Sequence, residues 1–272
     1  MNLTGMHKIR CANEEFFMQE VPAPADIQSF FAFSLPKAGS TLLNAMLQDC
    51  CIESSIPVIS PYSSAFTNGI VTNSIGKDLD SILFTRGYAY LGFRHFVPYS
   101  SDFHFSSVPI FLLVRDPRDM LTSLYFSVKF SHVLPEKKGS AFSKLQGERK
   151  RLKNIDINSF VLSVVDKYVE IYDVYIRKLV EYDNVHVFRY EDVIFDKFNW
   201  LFDMLRLVDI EIPEETIRTV ATKHDIRPST ENMGAHIRQV TPENYKKHLS
   251  DACVARLNSK FANVLRVFDY SF

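Results

Sequence analysis

The chain has 272 residues, 46% of them hydrophobic, which is enough to bury one sizeable core. A formal net charge of −1 gives no global electrostatic case for nucleic acid or an anionic membrane, so any anion site has to be local. The four cysteines, Cys11, Cys50, Cys51 and Cys253, make neither a C-x-x-C pair nor a zinc-finger spacing with histidine, and predict a reduced intracellular protein without a structural metal.

In chain order, residues 1–28 read as a poorly patterned lead-in. Its start lacks the apolar core of a signal peptide, and Pro22 and Pro24 break any helix ahead of Ser29. Short apolar runs at 30–35, 57–60, 90–95, 108–114 and 185–190 predict strands. Helical patterns follow at 40–50, 117–130, 157–181, 192–207, 213–224 and 250–268. Within 157–181, Phe160, Val164, Val165, Tyr168, Ile171, Tyr172 and Tyr175 recur at intervals of three and four. Alternation of this kind predicts a single three-layer α/β domain over 1–272, a mainly parallel sheet flanked by helices. The longest apolar runs, such as 110–114, are too short to span a bilayer, so a cytoplasmic location is expected. The segment 132–154 interrupts the pattern. It carries Lys137, Lys138, Lys144, Arg149, Lys150, Arg151 and Lys153 against Glu136 and Glu148, with Gly139 and Gly147. It reads as a mobile basic loop, either a solvated surface excursion or a lid over an anionic site.

Two stretches carry chemistry. In the first, the strand at 30–35 enters the turn Pro36-Lys37-Ala38-Gly39-Ser40-Thr41 and then a helix. Gly39 lets the backbone curl around an anion, and the first helical N–H groups point at it. Lys37 adds a charge, and Ser40 and Thr41 add hydroxyl donors. The G-x-x-x-x-G-K-[ST] loop of nucleotide triphosphatases is absent, because the upstream glycine is missing and the lysine precedes Gly39. In the second, the strand at 108–114 delivers Arg115 at its carboxyl end, and Asp116-Pro117 opens a helix that carries Ser123 eight residues on. Arginine and serine there suit a phosphate beyond the sheet's carboxyl edge. Alone, Arg115-Asp116-Pro117-Arg118-Asp119 reads equally as a helix-capping ion-pair cluster.

Together the two stretches resemble the sulfotransferase family. The loop is similar to the family's P-K-S-G-T-T-W phosphosulfate loop, and Arg115 through Ser123 is similar to its R-N/D-P-R/K-D…S motif for the 3′-phosphate of 3′-phosphoadenosine 5′-phosphosulfate (PAPS). Phe188-Arg189-Tyr190-Glu191-Asp192 resembles a family segment whose tyrosine lies near the adenine. His236-Ile237-Arg238, with Thr241 to Lys246 behind it, resembles the R-K-G…G-D-W-K region that closes over the 3′-phosphate. There are departures. Ala38 replaces a loop serine, Leu42 stands where a tryptophan stacks on adenine, and Gln239 and Val240 replace Lys-Gly.

The resemblance implies a P-loop-like fold, PAPS as cofactor and no metal. It places Lys37, Ala38, Gly39, Ser40 and Thr41 around the 5′-phosphosulfate end, Leu42 at the adenine-stacking position, and Arg115, Ser123, Tyr190, Arg238 and Gln239 around the rest of the nucleotide. Lys37, Ser123 and a histidine base are the implied catalytic residues. His95, 20 residues before Arg115, fits the family's histidine, and His104 is its rival. Among the other histidines, His132 at the head of the basic segment is best placed to touch substrate. Tyr88, Phe96, Tyr99, Phe126 and Phe130 either line an apolar acceptor pocket or belong to the core, and 23 phenylalanines cannot separate the two. The expected partner is a small-molecule acceptor, a hydroxyl or an amine, with the chain a monomer or homodimer. Two other readings stay open: an ATP-dependent small-molecule kinase using the same loop, and a non-catalytic nucleotide-binding protein.

Overall fold

The computed structural model describes residues 7–11, 14–18, 21–71, 77–94, 96, 103–135, 137–235 and 237–272. The strands are β1 (His7–Cys11), β2 (Glu14–Met18), β3 (Phe30–Ser34), β4 (Val58–Ile59), β5 (Ala89–Phe93), β6 (Ile110–Val114) and β7 (Val185–Arg189). The helices are α1 (Ser40–Glu53), α2 (Pro61–Thr67), α3 (Pro117–Phe126), α4 (Ser140–Leu152), α5 (Ile157–Tyr175), α6 (Tyr190–Val193), α7 (Lys197–Leu207), α8 (Glu214–Lys223), α9 (Tyr245–His248), α10 (Asp251–Lys260) and α11 (Ala262–Val267).

Strands β4-β5-β3-β6-β7 pair in that order, all parallel. Every residue of β3, β5 and β6 is buried, as expected for parallel strands covered by helices on their faces. Phe31 stacks on Tyr90 at 4.3 Å between ring centroids, and Phe33 meets Phe93 at 5.3 Å, so β3 and β5 are locked by aromatic pairs. Central β3 has β5 on one side and β6 on the other. Their carboxyl ends therefore form the crevice where open α/β sheets bind ligands. This is the α/β, mainly parallel architecture that the alternating pattern predicts. Among the described residues, no helix is long and apolar enough to cross a membrane.

The structure departs from the sequence reading in two places. The lead-in contains an antiparallel hairpin, with His7 opposite Met18 and Cys11 opposite Glu14. Ile9, Phe16 and Met18 are buried from it, so the hairpin takes its stability from packing on the core rather than from a local signal. The basic segment is mostly helix. Only Ala141 and Leu152 of α4 are buried, which leaves no amphipathic period to read, while its lysines and arginines favour helix intrinsically. Two predicted helices also end in wider turns. Both α3 and α5 run on into π-helical turns, at Ser127–Ser131 and Ile176–Val180.

Candidate active site

The loop between β3 and α1 bends through two left-handed residues, Lys37 (φ 62°) and Gly39 (φ 101°). The torsion of Gly39 favours glycine, and a side chain there would sit a tight 3.2 Å from the Tyr190 ring. Gly39 caps α1 without a side-chain acceptor, which leaves the first N–H groups of a 14-residue helix to an outside partner. Ser40 is buried, Thr41 exposed, Leu42 half-buried and Ala38 fully buried in the core.

Arg115 lies beside this loop. Its Nη1 donates to the Lys37 carbonyl at 3.2 Å, and its guanidinium covers the Tyr190 ring at 4.3 Å. Asp119 Oδ2 stands 3.5 Å from Arg115 Nη2. Tyr172, from α5, donates to the Arg115 carbonyl at 2.6 Å and fixes the end of β6. Tyr190 joins the constellation to the C-terminal segment, since its hydroxyl donates to the Val240 carbonyl at 3.0 Å. From that segment, Arg238 stacks over Phe126 at 4.3 Å, donates to Asn244 at 2.7 Å and pairs with Glu231. Loop, β6 end, Tyr190 and Arg238 thus meet in one place.

The electrostatics there favour an anion. Burial, reinforced by the positive charges of Arg94, Arg115 and Arg238, brings the Lys37 ammonium down to about 8. Burial and the neighbouring Arg115 lower Arg238 to about 10. Four cations crowd one crevice. Among the described residues, Arg115 Nε and both amide atoms of Gln239 are buried without a hydrogen-bond partner. Buried donors without partners and mutually repelling cations both favour a polyanion.

The remaining residues fall as follows. Lys37 Nζ donates to Ser127 Oγ at 3.1 Å. Ser123, one turn earlier on α3, is half-buried. His95 lies outside the described residues, as do Tyr99 and His236. His104 is exposed and opens a short turn before β6, held by Gln28 and Asn184 at the amino edge of the sheet. A five-residue strand, about 16 Å, separates that edge from Lys37. Arg94 and Ser127 escape the sequence reading. Arg94 is the first residue past β5, the position that Arg115 holds past β6, and that parallel is the signal that could have found it. Ser127 follows Ser123 by one helical turn, and the motif resemblance points to Ser123 alone. Phe126 and Phe130 stack at 6.3 Å, but Phe126 is buried and taken by Arg238, whereas Phe130 is exposed.

Fold and site together define an α/β protein with a cluster of basic side chains at the switch point of a parallel sheet. A family model described as Sulfotransferase domain matches residues 92–265, well over half of the chain, and the chain belongs to that family. The match takes in Arg94, Arg115, Ser123, Tyr190 and Arg238 and begins beyond the Lys37 loop. The comparison with curated proteins gives no match. Among solved structures, mouse sulfotransferase SULT7A1 complexed with PAP superposes with a TM-score of 0.53 at 13% identity, covering 89% of this chain and 86% of that one. A retinol dehydratase in complex with androsterone and inactive cofactor PAP gives 0.49 at 13% identity, over 92% of this chain and 83% of its own. At that identity the mouse enzyme supports the fold.

Proposed function

We propose that the chain is a PAPS-dependent sulfotransferase acting on a hydroxyl or amine of a small molecule, in a reduced cytoplasmic setting. The observation that carries this reading is the convergence of Lys37, Arg94, Arg115 and Arg238 beyond the adjacent ends of β3, β5 and β6. The residues fit a nucleotide with phosphate at both ends. Lys37, Ser40, Thr41 and the N–H groups of α1 would hold the 5′-phosphosulfate. Arg115 and Arg238, with Ser123, would hold the 3′-phosphate, and the unpartnered Gln239 amide and Arg115 Nε supply donors and an acceptor that are not yet used. When bound, the cofactor supplies a sulfuryl group on a phosphate leaving group, set for in-line displacement. Lys37 places its ammonium where negative charge grows on the departing oxygen. His95 is the proposed base, taking the proton from the acceptor's oxygen or nitrogen.

Isothermal titration tests the reading. The expected result is binding of 3′,5′-ADP without magnesium, weakened about 10- to 100-fold in Arg115→Ala by loss of a charge-assisted contact. Tight binding of ATP with magnesium and indifference to the 3′-phosphate would overturn it in favour of a kinase. An acceptor screen read by mass spectrometry, scoring gain of one sulfuryl group, then identifies the acceptor.

A further inference from the structure

Beyond the loop, Lys37 is the first member of a chain of polar side chains. Lysine only donates, so Ser127 Oγ accepts from Lys37 Nζ at 3.1 Å. That hydroxyl retains one proton to give, and its remaining neighbour is His132 Nδ1 at 3.2 Å. The direction of the second bond depends on the histidine tautomer, and the one in which a neutral His132 accepts at Nδ1 makes a continuous order, Lys37 to Ser127 to His132.

The backbone is built for this contact. Residues five apart on an α-helix point about 140° away from each other at 100° per residue, so Ser127 and His132 could not meet on a regular continuation of α3. The π turn Ser127–Ser131 widens the coil. Its closing bond runs from the His132 N–H to the Ser127 carbonyl at 2.7 Å, joining by backbone the two residues whose side chains meet. From α4, Arg149 donates to the carbonyls of Val128 (3.2 Å) and His132, fastening both ends of the turn. The edge of the His132 ring meets Phe66 at 6.3 Å, which sets the ring plane. Among the described residues, Arg94, Arg115 and Arg238 act on Lys37, and Arg149 donates to the His132 carbonyl.

We propose that His132 is a positioning residue for Lys37, acting through the Ser127 hydroxyl. By accepting the serine proton, His132 turns the Ser127 lone pair toward the ammonium and holds a flexible side chain in one direction beside the loop. An ammonium fixed before reaction needs no reorganisation as charge develops on the leaving oxygen. The role in turnover rests on the sulfuryl-transfer reading above, whereas the hydrogen-bond chain rests on geometry alone, and the test separates the two.

The variants are Ser127→Ala, His132→Ala and His132→Asn, whose amide oxygen replaces the Nδ1 acceptor. Acetic anhydride labelling of Lys37 across pH, read by mass spectrometry, reports the chain without needing turnover. In Ser127→Ala and His132→Ala the apparent pKa of Lys37 should fall by about half a unit to one unit, and in His132→Asn it should stay near the native value. Turnover with PAPS should fall about 10-fold in the two alanine variants and recover in His132→Asn, with 3′,5′-ADP affinity within about twofold throughout. An unchanged Lys37 titration in both alanine variants would overturn the proposal, whatever the enzyme's activity. Loss of turnover in His132→Asn equal to that in His132→Ala would also overturn it, by making His132 a proton carrier rather than a positioner. Native protein inactive on every acceptor would count against the sulfuryl-transfer reading and leave the labelling result to decide the chain.

Discussion

Lys37 keeps its charge at a cost. A fall from 10.5 to about 8 corresponds to about 3 kcal/mol against the charged form. The cost is full below pH 8, where the lysine is charged both folded and unfolded. Stability then rises with pH between about 8 and 10.5, because the folded protein gives up this proton first. An anion in the crevice acts the other way: it favours the ammonium and restores the higher value, so binding takes up a proton above pH 8. The dissociation constant for 3′,5′-ADP should be flat below about pH 7.5 and weaken up to about tenfold per unit above 8. Titrations between about pH 6.5 and 9.5 check this, and Lys37→Met should flatten the profile. A native profile without the bend would refute the assignment of Lys37 to the anion. Three residues beyond Arg115, Arg118 shows how a neighbouring cation differs. It is 1% exposed, fully taken by Asp116 (2.6 and 2.9 Å), Asn258 (2.8 Å) and the Ser271 carbonyl, and lies over Tyr245 at 4.5 Å. The ion-pair reading of that motif therefore holds for Arg118, and the phosphate reading is the role proposed for Arg115. The residue string could not allot them, because two of the partners of Arg118, Asn258 and the Ser271 carbonyl, lie 140 and more residues away.

At the scale of elements, legibility follows burial. The runs at β3 and β6 are continuous apolar stretches, as parallel strands covered on both faces must be, and their positions read directly from the sequence. Helix α2 has proline at its first position but spans only seven residues, too few to display a period. Helix α4 hides for a different reason: only its Ala141 and Leu152 are buried, so it shows no apolar face. Arg149 reaches two carbonyls of the π turn that an α-helical ladder would otherwise satisfy. Arg149→Ala should therefore lower stability by about 1–2 kcal/mol through two lost charge-assisted bonds. It should lower turnover as well, because the turn that presents Ser127 and His132 loosens. Arg151→Ala, an exposed neighbour on the same helix, serves as control and should change neither. Denaturant unfolding and steady-state rates measure both effects. A neutral Arg149→Ala would return α4 to the role of a solvated surface helix.

For the whole molecule, the sequence displays the motifs in order but not what brings them together. Lys37, Arg94, Arg115 and Arg238 are spread over two hundred residues, and only the strand order β5-β3-β6 makes neighbours of the first three. Arg94 escaped notice because its importance depends on that order rather than on any local pattern. The fourth cation arrives through Tyr190, whose ring touches the loop and Arg115 while its hydroxyl holds Val240. Burial and neighbouring cations lower Lys37 and Arg238 in this crevice, and a ligand matched to it should stabilise the entire protein. At 100-fold excess over its dissociation constant, 3′,5′-ADP should add about 2.7 kcal/mol and raise Tm by roughly 5–10 °C for a chain of this length. At the same concentration 5′-AMP should give a distinctly smaller shift if, as proposed, Arg115 and Arg238 hold the 3′-phosphate. In Arg115→Ala the difference between the two nucleotides should largely vanish, while Lys37→Ala should reduce both shifts together. Thermal unfolding of the three proteins with each nucleotide settles the division of labour. Equal shifts for the two nucleotides in the native protein would mean that the crevice grips one phosphate and not two.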